Sequence, residues 1–383
     1  MPVNQITQMF CNQHTIFGPG CIGQLKFLLN SPPLPTLLFT HRSFLTSEGW
    51  QQLEPQIRQH LTAIVTVSGE ASPQQLTAWM DEYRATTQRV LAIGGGSVLD
   101  AGKAFSTLCC HPLPVIRYME KIGDTPLNGE RLPLIAVPTT AGTGSEVTQN
   151  AVVTDQQQYQ VKASLRHPGL VPDIAVLDPQ LLRHCSPALL TACGIDAFTH
   201  LFESWLSNKS TLFSRQFSLQ GMSLFVQAWP DLAKGDQRGD TAREKMMMAS
   251  WLGGLSLSMA GLGVIHGIAG EVGACLPWHH GEVCGRLLMP FLTLCQRTDD
   301  PQQAALLNSL HRALFPEVNG CHPAAWLAEW LHSAAPADIW RQPPSMTPQH
   351  RNTILRQAGN KNSLVDYSAE QREFMLSESW PVV

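Results

Sequence analysis

Charged side chains are scarce in this chain of 383 residues: Asp, Glu, Lys and Arg make up only 15% of it, against about 25% in an average soluble domain. Hydrophobic residues make up 44%, which is enough for a large core and excludes wholesale disorder. The 26 basic and 30 acidic residues give a formal net charge of -4, and no basic stripe stands out. Nucleic acid is therefore not an expected partner. The length predicts two domains.

Paired cysteines and a secretory signal are also missing. The ten cysteines form no C-x-x-C pair, and the one adjacent pair, Cys109 and Cys110, has a spacing unsuited to a routine disulfide or a zinc knuckle. The N-terminal residues show no basic region followed by an apolar run. We expect reduced thiols and a cytoplasmic location.

A single segment is uncharged for long enough to cross a membrane. Residues 246–270 form 25 positions without a formal charge, and about 20 apolar residues span a bilayer. The segment contains several glycines, serines and His266, and nothing else in the chain resembles a second span. We interpret it as a buried central helix and expect no membrane partner.

Short apolar runs alternate with longer amphipathic segments in the first ~180 residues. The runs lie at 35–41, 61–69, 90–96 and 132–140 and are typical of buried parallel strands. Polar-patterned stretches such as 72–85 and 98–108 are long enough for helices between them. The alternation predicts a doubly wound α/β domain, with a small hairpin starting at residue 151.

The pattern changes after Ser186, where apolar residues recur at helical spacing. The helical stretches are 187–206, 211–234, 240–269 and 281–297, and together they predict a helical bundle. One more helix is expected in the polar last ~35 residues, from Pro343. The predicted domains are 1–183, α/β, and 184–383, all-α.

Two loops rich in small residues follow predicted strands. Gly94, Gly95, Gly96 and Ser97 lead into a helix, whose N-terminal amides and dipole favour a phosphate; a plain strand-to-helix turn is the alternative. The second loop, residues 139–146, is rich in threonine and glycine. Ligands of open α/β sheets bind at this carboxyl edge. The two loops on neighbouring strands indicate a dinucleotide-sized ligand.

The helical half contains four candidate metal ligands. Asp196 and His200 are four residues apart and share one face of a helix, while His266 and His280 lie in or near apolar stretches. Each histidine alone could be a hydrogen-bonded core residue, but buried polar groups need partners, and one divalent ion would explain all four. Oxygen and nitrogen donors suit Fe(II), Zn or Mn. This donor set implies no thiolate.

Four segments resemble signature segments of the iron-containing (group III) alcohol dehydrogenase family. They are GGGSVLDAGKA, PTTAGTGSEVT, GIDAFTHLFESW and AGLGVIHG…PWHHG, in the family's order and spacing along most of the chain. The resemblance implies an N-terminal dinucleotide-binding domain and a C-terminal helical domain (a dehydroquinate synthase-like fold), with the site in the cleft between them. It also implies a small alcohol or aldehyde as substrate and a homodimer.

The resemblance assigns site residues position by position. The metal ligands, which carry the catalysis, would be Asp196, His200, His266 and His280, holding Fe(II), with Zn possible; His280 is preferred to His279 because it precedes Gly281, as the family's P-H-G motif requires. Such a metal polarises the substrate oxygen while hydride passes to or from NAD or NADP. The cofactor-binding positions would be His41, Arg42, Ser72, Gly95, Gly96, Ser97, Asp100, Thr139, Thr140, Thr143 and Lys162. Asp100 either contacts the cofactor or shapes the glycine loop by capping the helix that follows it.

Three positions depart from the family's pattern. Gly270 stands where many members have a second histidine that reaches toward the nicotinamide. His41, followed by Arg42, stands where an aspartate often binds the adenosine ribose, and Ser72 replaces an asparagine before Pro73. Cofactor choice and proton relay are therefore open at this point.

Two alternative functions follow from the same features. One is a metal- and NAD-dependent lyase related to dehydroquinate synthase, which needs several basic residues for a polyanionic substrate. The other is a catalytically weakened paralogue with a binding role, for which Gly270 is the best support. Oxidoreduction of a primary alcohol and its aldehyde is the favoured prediction.

Overall fold

The computed structural model describes residues 7–155, 158, 161–341 and 345–380. The chain divides into two compact units. One unit is Phe10–His184, and the other begins at Cys185 and also includes residues 7–9. The division lies beside the boundary of 183/184 that the sequence analysis proposes for the domains.

The first unit is built on a parallel sheet. Its six strands lie in the order β1-β8-β5-β4-β2-β3, and β6 pairs with β7 in a separate two-stranded sheet. All the pairings within the larger sheet are parallel. The strands are β1 His14–Phe17, β2 Thr36–Thr40, β3 Leu61–Thr66, β4 Arg89–Gly94, β5 Leu134–Pro138, β6 Asn150–Asp155, β7 Val161–Arg166 and β8 Ile174–Leu177.

Helices cover both faces of this sheet. The helices of this unit are α1 Leu25–Asn30, α2 Arg42–Leu45, α3 Glu48–Ile57, α4 Pro73–Tyr83 and α5 Gly96–Leu108. In β4, Val90 and Ala92 belong to the core that contains α4 and α5, whereas Leu91 and Ile93 belong to the core that contains α1 and α3. A strand buried on both faces needs apolar residues at every position, which is why β4 is a continuous apolar run. The doubly wound prediction is confirmed.

The hairpin prediction is also confirmed, but two strands are missing from the predicted sheet. Strands β6 and β7 pair antiparallel. Strands β1 and β8, which pair with each other, were not predicted, and each has only four residues. Four residues contain too few repeats for a periodicity to be recognised.

The second unit is helical throughout its described regular elements. The helices are α6 Pro187–Trp205, α7 Leu212–Ala228, α8 Gln237–Ala260, α9 Val264–Cys275, α10 His280–Arg297, α11 Pro301–Leu314, α12 Pro323–Ser333, α13 Pro348–Gln357 and α14 Ala369–Ser379. Helices α6, α7, α8 and α10 pack against one another as the apolar spacing predicted. The expected single helix after Pro343 is wrong: α13 and α14 are two helices, and Pro343 itself lies outside the described residues.

The uncharged segment 246–270 is two helices rather than one. The predicted stretch 240–269 breaks after Ala260, where Gly261 adopts a φ of 67°, a value that favours glycine. Residues of the C-terminal segment hold the break: the amide of Asn362 donates to Leu262 O (3.0 Å) and the amide of Val264 donates to Ser363 Oγ (2.9 Å). In the described part of the chain, no single helix is long and apolar enough to span a membrane; α8 and α9 reach that length only together, with a bend of 101° between them.

Candidate metal centre and nucleotide loops

Helix α6 places three ionisable side chains along one face. Ser186 caps its N-terminus by accepting a hydrogen bond from the amide of Leu189, and Asp196, His200 and Glu203 follow at positions i, i+4 and i+7, which one helix face shares. All three are buried. Burial of so many ionisable groups on one face is costly unless they are paired or bind an ion.

The four predicted metal ligands come together in the helical unit. Asp196 Oδ1 lies 3.5 Å from Nε2 of His266, 3.7 Å from Nε2 of His200 and 3.8 Å from Nε2 of His280. His266 is on α9, and His280 is the first residue of α10. The ring of His266 stacks on that of His200 at 4.7 Å between centroids. Three helices therefore direct one carboxylate and three imidazoles at a common point.

The donor set fits a divalent ion. Donors about 2.1 Å from a tetrahedral ion are about 3.4 Å apart, close to the separations around Asp196 Oδ1 and longer than an ordinary hydrogen bond. Among the described residues, Asp196 Oδ1 is buried and accepts no hydrogen bond, so a buried oxygen is left for a cation. The family that the sequence resembles takes its name from iron, and this oxygen–nitrogen set suits that metal.

The charge of Asp196 is stabilised in place. Burial opposes its ionisation, but the imidazoles of His200, His280 and His266 outweigh that effect and hold the pKa of this carboxyl well below its ordinary value. Asp196 is therefore available as a carboxylate, the form that binds a cation.

A thiol that the predicted ligand set does not include lies beside these ligands. Cys284 Sγ lies 3.5 Å from Nε2 of His266 and 3.6 Å from Nε2 of His280. Donor atoms of Asp196, His266, His280 and Cys284 all lie within 4.8 Å of one another, and His200 is outside this tightest group although it contacts Asp196. Burial raises the pKa of the Cys284 thiol to about 11. The signal was present in the sequence, since Cys284 follows His280 by one helical turn, but a cysteine in an apolar helix is usually a core residue.

Glu203 is a second functional residue that the sequence analysis missed. Its Oε2 lies 2.7 Å from Nδ1 of His266, and its Oε1 accepts a hydrogen bond from the amide of Ile265 at 2.7 Å. A Cβ on Gly263 would lie 2.8 Å from Oε1, so the glycine permits this approach. Burial opposes the ionisation of Glu203, but these hydrogen bonds prevail and lower its pKa. The carboxylate fixes the ring of His266 so that Nε2 faces the other donors.

The two nucleotide loops are adjacent in the α/β unit. Gly95 caps α5 and the amide of Thr139 donates to Gly94 O at 2.9 Å. A Cβ on Gly96 would lie 2.6 Å from Cγ2 of Thr143, and one on Gly95 would lie 3.3 Å from Oγ1 of Thr140. The loops after β4 and β5 therefore pack together at the N-terminus of α5, where Ser97 is half-buried, an arrangement that favours phosphate binding.

A buried network beneath these loops shows what Asp100 does in this chain. Asp100 accepts hydrogen bonds from the Ser145 hydroxyl and from the amide of Val152, and Lys103 Nζ donates to the backbone oxygens of Ser145 (2.9 Å) and Thr148 (2.8 Å). Burial lowers the pKa of Lys103 to about 8. Asp100 does not cap α5, whose N-cap is Gly95 with no side-chain hydrogen bond; it ties α5 to the second loop and to β6.

Three of the remaining predicted cofactor positions, Lys162, Ser72 and His41, have hydrogen-bond or ion-pair partners outside the glycine loop. Lys162 on β7 forms an ion pair with Glu70, a carboxylate that the sequence analysis did not consider. The hydroxyl of Ser72 caps α4 by accepting from the amide of Gln75. His41 Nδ1 caps α2 by accepting from the amide of Ser43, and both His41 and Arg42 are exposed after β2.

Two further positions complete the site. His279 precedes α10 and is not in the donor group, so the structure favours His280 over His279, in agreement with the prediction. A Cβ on Gly270 of α9 would meet no atom within 4 Å. Space for a larger side chain therefore exists at residue 270.

Comparison with known proteins gives the family directly. The iron-containing alcohol dehydrogenase model matches residues 12–179, and the model of the family's C-terminal part matches residues 190–325. The probable alcohol dehydrogenase EutG of Escherichia coli K12 is 34% identical over 72% of this chain and 70% of its own length. Lactaldehyde reductase of the same organism is 33% identical over 52% of this chain and 51% of its own length.

Comparison with solved structures finds the same fold in an alcohol dehydrogenase. A variant of an archaeal halo-thermophilic Red Sea brine pool alcohol dehydrogenase superposes with a TM-score of 0.88 at 19% identity, covering 99% of this chain and 100% of the other. At that identity the likeness concerns the fold alone. The family models together span most of the chain, its relatives include both alcohol dehydrogenases and aldehyde reductases, and the family is dependent on a metal and NAD(P). The chain therefore belongs to the iron-containing alcohol dehydrogenase family and is a metal-dependent alcohol/aldehyde oxidoreductase.

Proposed function

We propose that Asp196, His200, His266 and His280 hold the divalent metal and that the chain interconverts a small primary alcohol and its aldehyde. The observation that carries the proposal is the buried Asp196 Oδ1, which has three imidazole nitrogens within 3.8 Å and no hydrogen bond among the described residues. When bound, the metal supplies Lewis acidity toward the substrate oxygen. The chain's own part is to orient these donors and to exclude water around them.

We further propose that the loops after β4 and β5 bind the dinucleotide. The amides at Gly95, Gly96 and Ser97 would hold the pyrophosphate, and Thr139, Thr140 and Thr143 would line the nicotinamide side. The close approach of Gly96 to Thr143 supports a shared pocket. The roles proposed for Lys162, Ser72, His41 and Arg42 are cofactor contacts at the ribose and adenosine end. Asp100 and Lys103 would act as positioning residues beneath the loops.

The proposal extends to domain roles and to assembly. We propose that 1–183 is the dinucleotide-binding domain and 184–383 the metal-binding domain, as a homodimer in the cytoplasm. The ten free thiols support a reducing compartment. Gel filtration with light scattering tests the dimer.

The residues around the site also bear on the two alternative functions, a lyase and a weakened paralogue. A dehydroquinate synthase-like lyase needs basic groups around its substrate, whereas the neighbours of His266 in α9, Val264, Ile265 and Ile268, are apolar and buried. A weakened paralogue is favoured only by Gly270. The oxidoreductase is the better supported function.

The test is oxidation of NADH and NADPH by the iron-loaded protein with a panel of short aldehydes. We expect turnover that His280→Ala abolishes together with bound metal, because removal of one donor leaves the others buried and incompletely satisfied. Cys193→Ala, a buried thiol on α6 outside the donor group, is the matched control and should keep both. Full turnover in chelated, metal-free protein would overturn the proposal. Nucleotide binding without turnover on any aldehyde would favour the paralogue.

A further inference from the structure

Cys284 lies beside the predicted metal ligands, a position that a side chain of the hydrophobic core does not require. It is fully buried (0% exposed) on α10, one turn after His280. Its Sγ lies 3.5 Å from Nε2 of His266 and 3.6 Å from Nε2 of His280. These are the same two nitrogen atoms that face Asp196 Oδ1. The sulfur therefore borders the point at which the metal ligands converge.

Helix packing holds the sulfur there. A Cβ on Gly281 would lie 2.1 Å from Ala192 O, and one on Gly285 would lie 2.9 Å from Cγ2 of Ile195. These two glycines let the backbone of α10 lie directly against α6, the helix of Asp196. Cys284 lies between them in sequence and is brought to the same depth as the donors on α6.

The separations match those around a shared ion. A sulfur about 2.3 Å and a nitrogen about 2.1 Å from an ion are about 3.1–3.8 Å apart at the 90–120° angles of a five-coordinate site, a range that includes both Cys284 distances. A thiol that only filled space would not need two imidazole nitrogens at this distance. A thiol that only donated a hydrogen bond to one imidazole would still leave Asp196 Oδ1, which is buried and without a hydrogen bond among the described residues.

We propose that Cys284 is a further ligand of this metal centre and binds the ion as a thiolate. The inference rests on the metal site proposed above and changes its chemistry. Among the four predicted ligands Asp196 is the only anionic donor, because the carboxylate of Glu203 is bound to the outer nitrogen of the His266 ring. A thiolate would add a second anionic donor directly at the ion.

The binding step is balanced without a redox partner. The S–H bond of Cys284 breaks, a sulfur–metal bond forms, and the proton passes to solvent beside the 30% exposed side chain of His280. No electron is transferred. Because thiolates favour Zn(II) and Co(II) over Mn(II) and hard-donor metals, Cys284 shifts this chain's preference toward Zn(II) relative to a site of carboxylate and imidazoles.

The experiment uses the full chain, freed of metal with a chelator and reloaded with Co(II) without oxygen. We expect a near-ultraviolet thiolate-to-cobalt charge-transfer band with the wild type. The band should disappear in Cys284→Ser and persist in Cys295→Ser, a second buried thiol on α10 outside the donor group. X-ray absorption of the Zn(II)-loaded wild type should require one sulfur at about 2.3 Å, a readout that does not depend on any variant folding.

Metal competition gives a second readout. Cys284→Ser should lower the Zn(II)-over-Fe(II) preference by on the order of tenfold, while Cys295→Ser leaves it unchanged. Co(II) bound at one equivalent without the charge-transfer band, and Zn(II) with only oxygen and nitrogen neighbours, would overturn the thiolate ligand while leaving the metal site intact. Failure of the wild type to bind any metal would instead contradict the proposed site itself.

Discussion

Glu203 shows how a residue outside the donor set controls the metal ligands. Its two oxygens accept hydrogen bonds from the His266 ring and from the backbone at Ile265, so it fixes both the ring and the first turn of α9. A histidine whose Nδ1 is held by a carboxylate presents Nε2 in one orientation and is a stronger ligand. Glu203 is thus a positioning residue.

We expect Glu203→Gln to weaken metal binding by about 10–100-fold, because a neutral amide supports the imidazole less well. Metal affinity measured by chelator competition checks this, with the melting temperature as control. Unchanged affinity in a folded variant would show that Glu203 serves only the backbone of α9. The Glu373→Gln change on α14, outside the metal-donor group, is a matched control expected to leave metal affinity unaltered.

Cofactor preference depends on the end of β2. A carboxylate there would accept the ribose hydroxyls and repel a 2′-phosphate, whereas His41 and Arg42 are exposed and neither is acidic. We expect NADPH to support turnover within about tenfold of NADH, a difference of ~1.4 kcal/mol. His41→Asp should shift the preference toward NADH.

The measurement is the steady-state kcat/KM of the wild type and of His41→Asp, each with NADH and with NADPH. An advantage of NADH beyond about a hundredfold in the wild type would contradict this inference from one strand end. His60→Asp, at a half-buried residue of the short 3-10 helix before β3, controls for added negative charge, because β3 begins opposite Thr36, at the far end of β2 from His41.

Gly270 leaves open space on α9. If proton transfer from this position is useful to the reaction, Gly270→His should alter the pH profile of kcat, because histidine titrates near neutrality. The profile measured with NADH and one aldehyde is the test. A folded variant with the wild-type profile would exclude residue 270 from proton transfer.

The sequence predicted some of these residues and missed others for physical reasons. Asp196 and His200 are one helical turn apart, so their shared face could be predicted without coordinates. Cys284 and Glu203 have similar spacing to His280 and His200, but a cysteine and a glutamate on a helix have commoner roles. Only the approach of α9 and α10 to α6 shows that both border the same point.

At the scale of elements, β4 and β5 bring two loops into contact. The Cβ that Gly96 lacks would fall 2.6 Å from Cγ2 of Thr143, a short, β-branched side chain with little freedom to move. We expect Gly96→Ala to raise the KM for NADH by about tenfold, because the displaced loop loses its alignment with the amides of α5. The melting temperature should change little, since alanine favours the helix by about 1 kcal/mol over glycine.

Combining Gly96→Ala with Thr143→Ser removes the methyl group at 2.6 Å and leaves one γ atom, the hydroxyl oxygen at 2.8 Å, which serine can rotate away more freely than threonine. The double variant should bind NADH better than Gly96→Ala alone, a non-additivity that a double-mutant cycle measures. Strict additivity of the two changes would contradict the contact. Gly95→Ala, whose Cβ would lie 3.3 Å from Thr140 Oγ1, should have the milder effect.

The elements themselves differ in how clearly the sequence marks them. Strands β2, β4 and β5 are buried at every residue and are predictable as apolar runs. The α8–α9 break is not, because small residues such as Gly253 and Gly254 occur inside α8 as well as at the break. Gly261 differs from them because its backbone lies against the side chain of Asn362, about a hundred positions later in the sequence.

At the scale of the molecule, all proposed metal ligands belong to the helical unit. An ion that binds only the folded state at a thousand times its Kd stabilises it by about 4 kcal/mol, or on the order of 10 °C for a unit of this size. We expect chelation to increase hydrogen exchange in α6, α9 and α10 and to leave β4 and α5 unaffected. Mass-spectrometric hydrogen exchange of the full chain measures this, and equal loosening of both units would contradict it.

The contacts of Asn362 and Ser363 with the break between α8 and α9 have a consequence for biosynthesis. The turn between α8 and α9, which sets the course of α9 toward α6, is completed by residues about a hundred positions later in the chain. When the ribosome has just finished α9, it must add about a hundred more residues, which takes roughly 5–20 s at ordinary synthesis rates, before Asn362 and Ser363 can hold the break. We therefore expect the ion to be acquired late in folding, and a product truncated before residue 360 to bind it more weakly.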